Sequence, residues 1–592
     1  MTETITTTSV RVGTLTELAE RGCMTTKVGN RPVCVFFDDG EVFAVEDRCP
    51  HMGFPLHRGT VEGGLLTCHW HHARFDLASG GTLDPFADDV PSFPVTVIDG
   101  EVHVSEPTDS DRLTRLYRRL EEGLEQGITL VTAKAVLALL EGGVEAAEIV
   151  EAGVAFGTKY RAEGWGPGLT VLVAMANILP SIDPADRPLA LVHGLAFLSG
   201  DTVGRSPRFP LAPLDSALAI DRLTAWYRRF IDTRSGDAAE RSLATAIAAG
   251  HGKVAIATML SAAVTDHVFI DEGHTIDFTN KAFECLEHIG WTRAEEVLTT
   301  LVAQTAMAQR HEEESAWRHP LDLAALLARS ATTEVLHGRL GAASGRSAGA
   351  GTAFDDEAVD ELGWSVLSDD AVGIVGRLDG ALDAGASPEQ LARAVAYAAA
   401  LRIVRFHTQN DHGDWNEVHH AFTAANAVHQ SMLRAPSVEL LRGVYQGALR
   451  VYLDRFLNVP AARLPTVGPD EAHGNAGLDD LQACWDTEGK VDEAGGIAYR
   501  FLATGGSPDA LVAALGHALL VEDAQFHWFQ IYEAAVRHHR AWPEGSEQGK
   551  LTLVGAARFL AAHTPTRRER SQIVRIATRL RRGEPLYEED GQ

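Results

Sequence analysis

The sequence predicts a multidomain chain: a small antiparallel all-β domain over residues 1–104, then a large all-α region built as helical repeats or a bundle. Three observations predict it. At 592 residues the chain exceeds what one hydrophobic core organises. Its first hundred residues carry hairpin signals, and no convincing hairpin follows. Beyond residue 111, Ala, Leu, Glu and Arg dominate with helical spacing.

In the β domain, "RPVCVFFDDGEVFAVED" (31–47) reads as two β-branched and aromatic runs around Asp39-Gly40. "FPVTVIDGEVHV" (93–104) repeats the pattern around Asp99-Gly100. "SEPTDSD" (105–111) is a polar linker with Pro107. Helices are expected from "RLTRLYRRLEEGLEQ" (112–126) onward, including "LDLAALLARSATTEVLHGRL", "LARAVAYAAALRIVRF" and "LTLVGAARFLAAH". "GAASGRSAGAG" (341–351) reads as a flexible connector between two helical halves, 112–340 and 352–592, which share one active site. "LPTVGPDEAHGNAG" (464–477) reads as a second irregular loop.

Composition excludes several classes. Against 52 Lys and Arg stand 81 Asp and Glu, a formal charge of −29, which repels nucleic acid and anionic membranes. Six cysteines are too few for a disulfide scaffold. Cys23, Cys34, Cys285 and Cys484 are expected to be reduced and mostly buried. The N-terminus lacks the basic and apolar pattern of a signal peptide, and no run of eighteen apolar residues exists. A cytoplasmic chain with no membrane and no nucleic-acid partner is expected.

The densest chemistry lies in "CPHMGFPLHRGTVEGGLLTCHWHH" (49–72). Cys49-x-His51 and Cys68-x-x-His71 each form one knuckle, separated by sixteen residues. Two thiolates and two imidazoles could hold zinc, but a zinc finger puts both cysteines in one knuckle and both histidines on a helix. One Cys and one His per knuckle instead suits two irons, thiolates on one and imidazoles on the other, the ligand set of a Rieske [2Fe–2S] centre.

Residues 9–104 resemble ferredoxin-type Rieske domains through "CPHMGFPLHRG" and "CHWHHARFDLASGG". The resemblance implies a [2Fe–2S] cluster on Cys49, His51, Cys68 and His71. The disulfide-bearing subtype of that family has a further Cys where this chain has Phe54, which implies a lower-potential centre in a reducing compartment. The family usually has Gly where this chain has His72. His57, His69 and His72 are read as bystanders.

A cluster that passes single electrons needs an acceptor, and the helical region offers histidines in recurring settings. "DEGHTIDFTNKAFECLEHIG" (271–290), "DWNEVHHAFTAANAVHQSML" (414–433) and "EDAQFHWFQIYEAAVRHHR" (522–540) each place an acidic residue before a His on an aromatic-rich helix. "RPLALVHGLAFLSGD", with His193, is a looser copy. His274 and His420 both have Asn six residues later, Asn280 and Asn426. Helical repeats that each turn one His inward can build a metal site from several helices, and iron accepts imidazole well. "VHGLAFL" around His193 and "HHAFTAANAV" around His420 resemble the questin oxidase-like family, within residues 112–592. That resemblance implies a helical non-heme iron oxygenase acting on an aromatic polyketide, with His193, His274, His420 and His527 as ligands and His267 and His419 as substitutes.

A carboxylate could complete a 2-His-1-carboxylate set: Asp271 and Glu284 flank the second motif, and Asp523 sits four residues before His527. Lys281, seven residues after His274, shares its helix face. No clear pair of Glu-x-x-His motifs supports a diiron site, so a mononuclear iron is expected. The predicted function is a Rieske-fused mono- or dioxygenase: an NAD(P)H-dependent ferredoxin reductase or a ferredoxin supplies electrons, and the helical iron activates O₂ against a small organic substrate. The alternative is a non-enzymatic electron-transfer or redox-sensing module on a helical scaffold.

Overall fold

A computed structural model describes residues 9–84, 86–160, 163–346, 354–411, 413–468, 477–582 and 584. Packing divides the chain into two compact units, Met1–Ile149 with Glu569–Gln592, and Val150–Arg568.

The first unit carries three three-stranded antiparallel sheets. The predicted Asp-Gly hairpins join Arg31–Asp38 to Glu41–Glu46 and Val95–Ile98 to Glu101–Ser105. Alternation along Arg31–Asp38 explains why that strand is buried on both faces. Val33 and Val35 enter one core with Leu18, Val102 and Val104, while Cys34 and Phe36 enter a second with Leu56, Leu66 and Phe75. That second core includes Cys49 and Cys68. The third sheet, Thr60–Glu62, Leu65–Thr67 and Arg74–Asp76, forms the hairpin ahead of Cys68 and the strand beyond His71.

Two local features differ from the sequence reading. Leu15–Arg21 is a helix, started by a capping box in which Thr14 Oγ1 accepts from Glu17 N–H. The linker 105–111 ends early: helix Asp109–Gln126 begins three residues before 112, because Thr108 and Asp111 form another capping box. This helix, Thr129–Glu141 and Glu569–Arg582 belong to the first unit, so packing groups helices with the sheets where composition separates them.

The second unit is helical, and among the described residues no strand follows Ser105. Its centre is formed by helices buried around much of their circumference, notably His274–Ile289, Asp414–Arg434 and Phe526–Arg540. Residues 341–346 of the expected connector continue helix Thr333–Arg346, and its remainder lies outside the described residues. Part of the 464–477 loop, 469–476, also lies outside them. Among the described residues no helix is long and apolar enough to cross a membrane.

Candidate metal centres

In the first unit the two predicted knuckles face each other. Cys49 N–H donates to the Phe54 carbonyl and Gly53 N–H to the Cys49 carbonyl, closing one turn (2.8 and 2.7 Å). Cys68 N–H donates to Ala73 and His72 N–H to Cys68, closing the other (2.8 and 3.0 Å). The His51 and His71 rings meet edge to face at 4.7 Å. Both cysteines are free and buried. Burial pushes the Cys49 thiol up to about 11, opposed by backbone N–H groups of His51 and Met52, so a metal is what would make it a thiolate. Burial and then His71 lower the His51 pKa, which keeps that imidazole neutral, and its Nδ1 is buried with no hydrogen-bond partner. Two buried free thiols and an orphaned imidazole nitrogen fit a [2Fe–2S] cluster. His72 sits at φ +60°, a left-handed position that glycine adopts without cost and histidine tolerates.

In the second unit, three predicted histidines from three helices converge. One donor atom each of His274, His420 and His527 lies within 4.8 Å of the others. His420 Nε2 and His527 Nε2 are 3.3 Å apart. Two nitrogens bound about 2.1 Å from one metal, at angles of about 90–110°, lie roughly 3.0–3.4 Å apart. The opposite nitrogen of each ring faces an acceptor. His274 Nδ1 is 2.9 Å from the Asp271 carbonyl, and His527 Nδ1 is 3.2 Å from Asn416 Oδ1. His420 Nδ1 is 3.2 Å from Glu272 Oε2, close but not aligned as a hydrogen bond. The partners of His274 and His527 can fix the tautomer and leave Nε2 free, as around metal-bound imidazoles. Burial, followed by the neighbouring imidazoles, pushes His527 down to about 4 and His420 well below the ordinary histidine range. Both are neutral imidazoles at pH 7, the form that can bind a metal.

The other predicted residues lie elsewhere or play other parts. His193 is fully buried, with Nε2 2.8 Å from the Leu520 carbonyl, and is not in the cluster. His267 pairs with Glu312 at 2.8 Å. His419 packs its ring 4.5 Å from His527, fully buried, with neither nitrogen hydrogen-bonded. Asp271 supplies its carbonyl, while its carboxylate accepts from Gln304 at 2.9 Å. The Asp523 carboxylate is not among the converging donors, and its N–H donates to Thr566 Oγ1. Lys281 donates to Glu284 at 2.8 Å and Glu533 at 2.7 Å, all three buried, so its amine is committed to ion pairs.

Sequence reasoning missed Asn416, Glu272 and the loop that carries the latter. Asn416 was legible in principle, one helical turn before His420 on the same face. The loop was not. Phe269, Asp271 and Glu272 all have positive φ (+42°, +52° and +55°), followed by Gly273 at +88°. Each non-glycine residue there costs about 1 kcal/mol or more. Surrounding bonds hold the loop in place: Asp271 N–H to Gln309 O, Phe269 N–H to Gln446 Oε1, and Val268 N–H to Glu312 Oε2 (2.8, 3.3 and 2.8 Å). This conformation brings the Asp271 carbonyl and Glu272 to two imidazoles. A Cβ on Gly273 would stand 2.6 Å from Ala424 Cβ and 2.9 Å from the Phe269 ring. Gly273→Ala is therefore expected to cost roughly 2–4 kcal/mol in denaturant unfolding.

Comparison with known proteins agrees with the first centre. A family model described as Rieske [2Fe-2S] domain matches residues 8–94. The chain is 30% identical over 95 residues to the anthranilate 1,2-dioxygenase ferredoxin subunit of Burkholderia cepacia, covering 16% of this chain and 88% of that protein. It is 36% identical over 97 residues to the 3-phenylpropionate/cinnamic acid dioxygenase ferredoxin subunit of Photorhabdus laumondii, covering 16% and 90%. Among solved structures, the ferredoxin of carbazole 1,9a-dioxygenase from Nocardioides aromaticivorans is 28% identical, covering 17% of this chain and 98% of that one, with a TM-score of 0.16.

Proposed function

Because the chain belongs to the Rieske [2Fe–2S] family through residues 8–94, we propose that it is an oxidoreductase whose N-terminal electron carrier serves a non-heme iron in the second unit. The cluster, when bound, passes single electrons. Iron, when bound at the imidazoles, supplies the one-electron chemistry that O₂ activation needs. One observation carries the reading: His274, His420 and His527, brought from three helices, each turn Nδ1 toward an acceptor. Phe278 and Phe526 flank His274 at 5.7 and 5.9 Å and give the site an apolar wall suited to an organic, aromatic substrate. The likeness to questin oxidase-like proteins points the same way. We assign Asp271 an orienting role through its carbonyl and Lys281 a structural one. The physiological donor would be a ferredoxin or its NAD(P)H-dependent reductase.

The test uses the full chain purified with its metals. Metal and sulfide analysis should give about three irons and two acid-labile sulfides per chain. After anaerobic reduction, admitting O₂ should reoxidise the cluster faster in the wild type than in His527→Ala. Two irons per chain, with identical reoxidation in both proteins, would leave only the electron-carrier reading.

A further inference from the structure

We infer that the first unit contains a binding site for a small phosphate-bearing anion. The site is a cleft of about 400 Å³ bounded by Ser79 and the 88–92 stretch, helices Asp109–Gln126 and Thr129–Glu141, and Arg581. In a chain of net charge −29, this hollow collects cations. Arg31, Arg112, Arg115 and Arg118 line it, joined by Arg119 and Lys134.

Its carboxylates are largely committed. Arg119 engages Asp89 at 3.1 Å and Glu122 at 3.0 Å, and Arg581 engages Glu141 at 2.6 Å. Asp88 stands 4.0 Å from Lys134 Nζ, which donates to the Ala87 carbonyl at 2.7 Å. Arg118 and Arg112 have only loose partners, Glu122 at 3.8 Å and Asp109 at 3.6 Å. Arg115 donates from Nη1 to the carbonyl and hydroxyl of Ser92, both uncharged, and among the described residues no carboxylate lies within 4.0 Å of it or of Arg31. Burial lowers the Arg115 pKa, the sign of a partly desolvated cation without full compensation.

A phosphate group answers this arrangement. Guanidinium forks donate bidentately to its oxygens, and two or more charges spaced along a diphosphate match several arginines around one hollow. The cleft is concave and has apolar walls from Leu116, Ala135 and Ala138, which suits a small molecule. Two residues before the 88–92 stretch, Phe86 packs against His51 with ring centroids 5.2 Å apart, so the ligand would sit behind a segment, 86–92, that also touches the cluster site.

Calorimetric titration of the full cluster-loaded chain with pyrophosphate, ADP and citrate, at low and moderate salt, tests this. Pyrophosphate and ADP should bind at one saturable site, tighter than citrate and weaker at the higher salt. Arg115→Gln should weaken binding at least tenfold. Arg31→Gln changes an exposed side chain that carries no bond of the fold, so it should weaken binding several-fold with unfolding unchanged. No saturable binding of either phosphate, citrate binding as tightly as pyrophosphate, or Arg31→Gln and Arg115→Gln both binding like the wild type would overturn the proposal.

Discussion

Replacing His420 with alanine is expected to lower the iron content of the full chain from about three atoms to about two, with the cluster's spectrum unchanged. His420 is 5% exposed and its Nε2 is 3.3 Å from that of His527, so its loss removes the best-buried of the three donors. Losing one of three imidazoles should cost orders of magnitude in metal affinity, because even outer-shell losses cost about 10–100-fold. His193→Ala is the control. Its nitrogen is spent on the Leu520 carbonyl, and iron content should stay near three. The two variants separate the converging set from the four-histidine set that the repeats predict. Acid sharpens the test. His527, held near 4 by burial and by His274, binds fewer protons folded than unfolded, so metal-free stability should fall as pH drops from about 6.5 toward 4. Loaded protein should resist that fall until protons displace the metal. Unfolding midpoints at pH 7, 6 and 5, with and without iron, measure it.

How much of this was legible depended on whether the information was local. Cys49, His51, Cys68 and His71 lie within 23 residues, and the hairpins around them are fixed by Asp-Gly turns and alternation. Both can be read from spacing alone. The second site joins positions 274, 420 and 527, and the repeats showed which histidines recur but not which helices meet. His193 illustrates the limit: its sequence setting resembles the others, yet its helix Arg187–Thr202 aims it at a backbone carbonyl. Left-handed backbone at Phe269, Asp271 and Glu272 has no propensity signature at all. Only Gly273 hints at it, and tertiary bonds impose the rest.

Replacing Lys281 with methionine is expected to destabilise the second unit by about 3–5 kcal/mol, because it takes from buried Glu284 and Glu533 the fully buried cation that both hydrogen-bond and leaves them to Arg537 at the edge. Burial alone would push Glu284 up, but Lys281 and then Arg537 outweigh it and hold the carboxyl at about 2. A carboxyl so depressed contributes stability above the unfolded carboxylate range and loses it only as pH falls toward 2. Without the lysine only Arg537 and Arg434 oppose burial, so the folded pKa of Glu284 rises and less stability is left to lose on acidification. The stability gap between Lys281→Met and the wild type should therefore narrow as pH falls through the carboxylate range, which urea unfolding at each pH would detect. The same network should carry the loss to the three-histidine cluster. Lys281 and Glu284 belong to the His274 helix, Glu533 and Arg537 to the His527 helix, and Arg434 of the His420 helix donates to Asn280 at 3.0 Å and pairs with Glu287 at 2.7 Å. Buried ion pairs, extended by Arg434 at the edge, thus tie together the three helices that deliver the imidazoles. Iron bound by Lys281→Met should then exchange faster at pH 7 even where the protein remains folded, the behaviour of a clamp rather than of a catalytic amine.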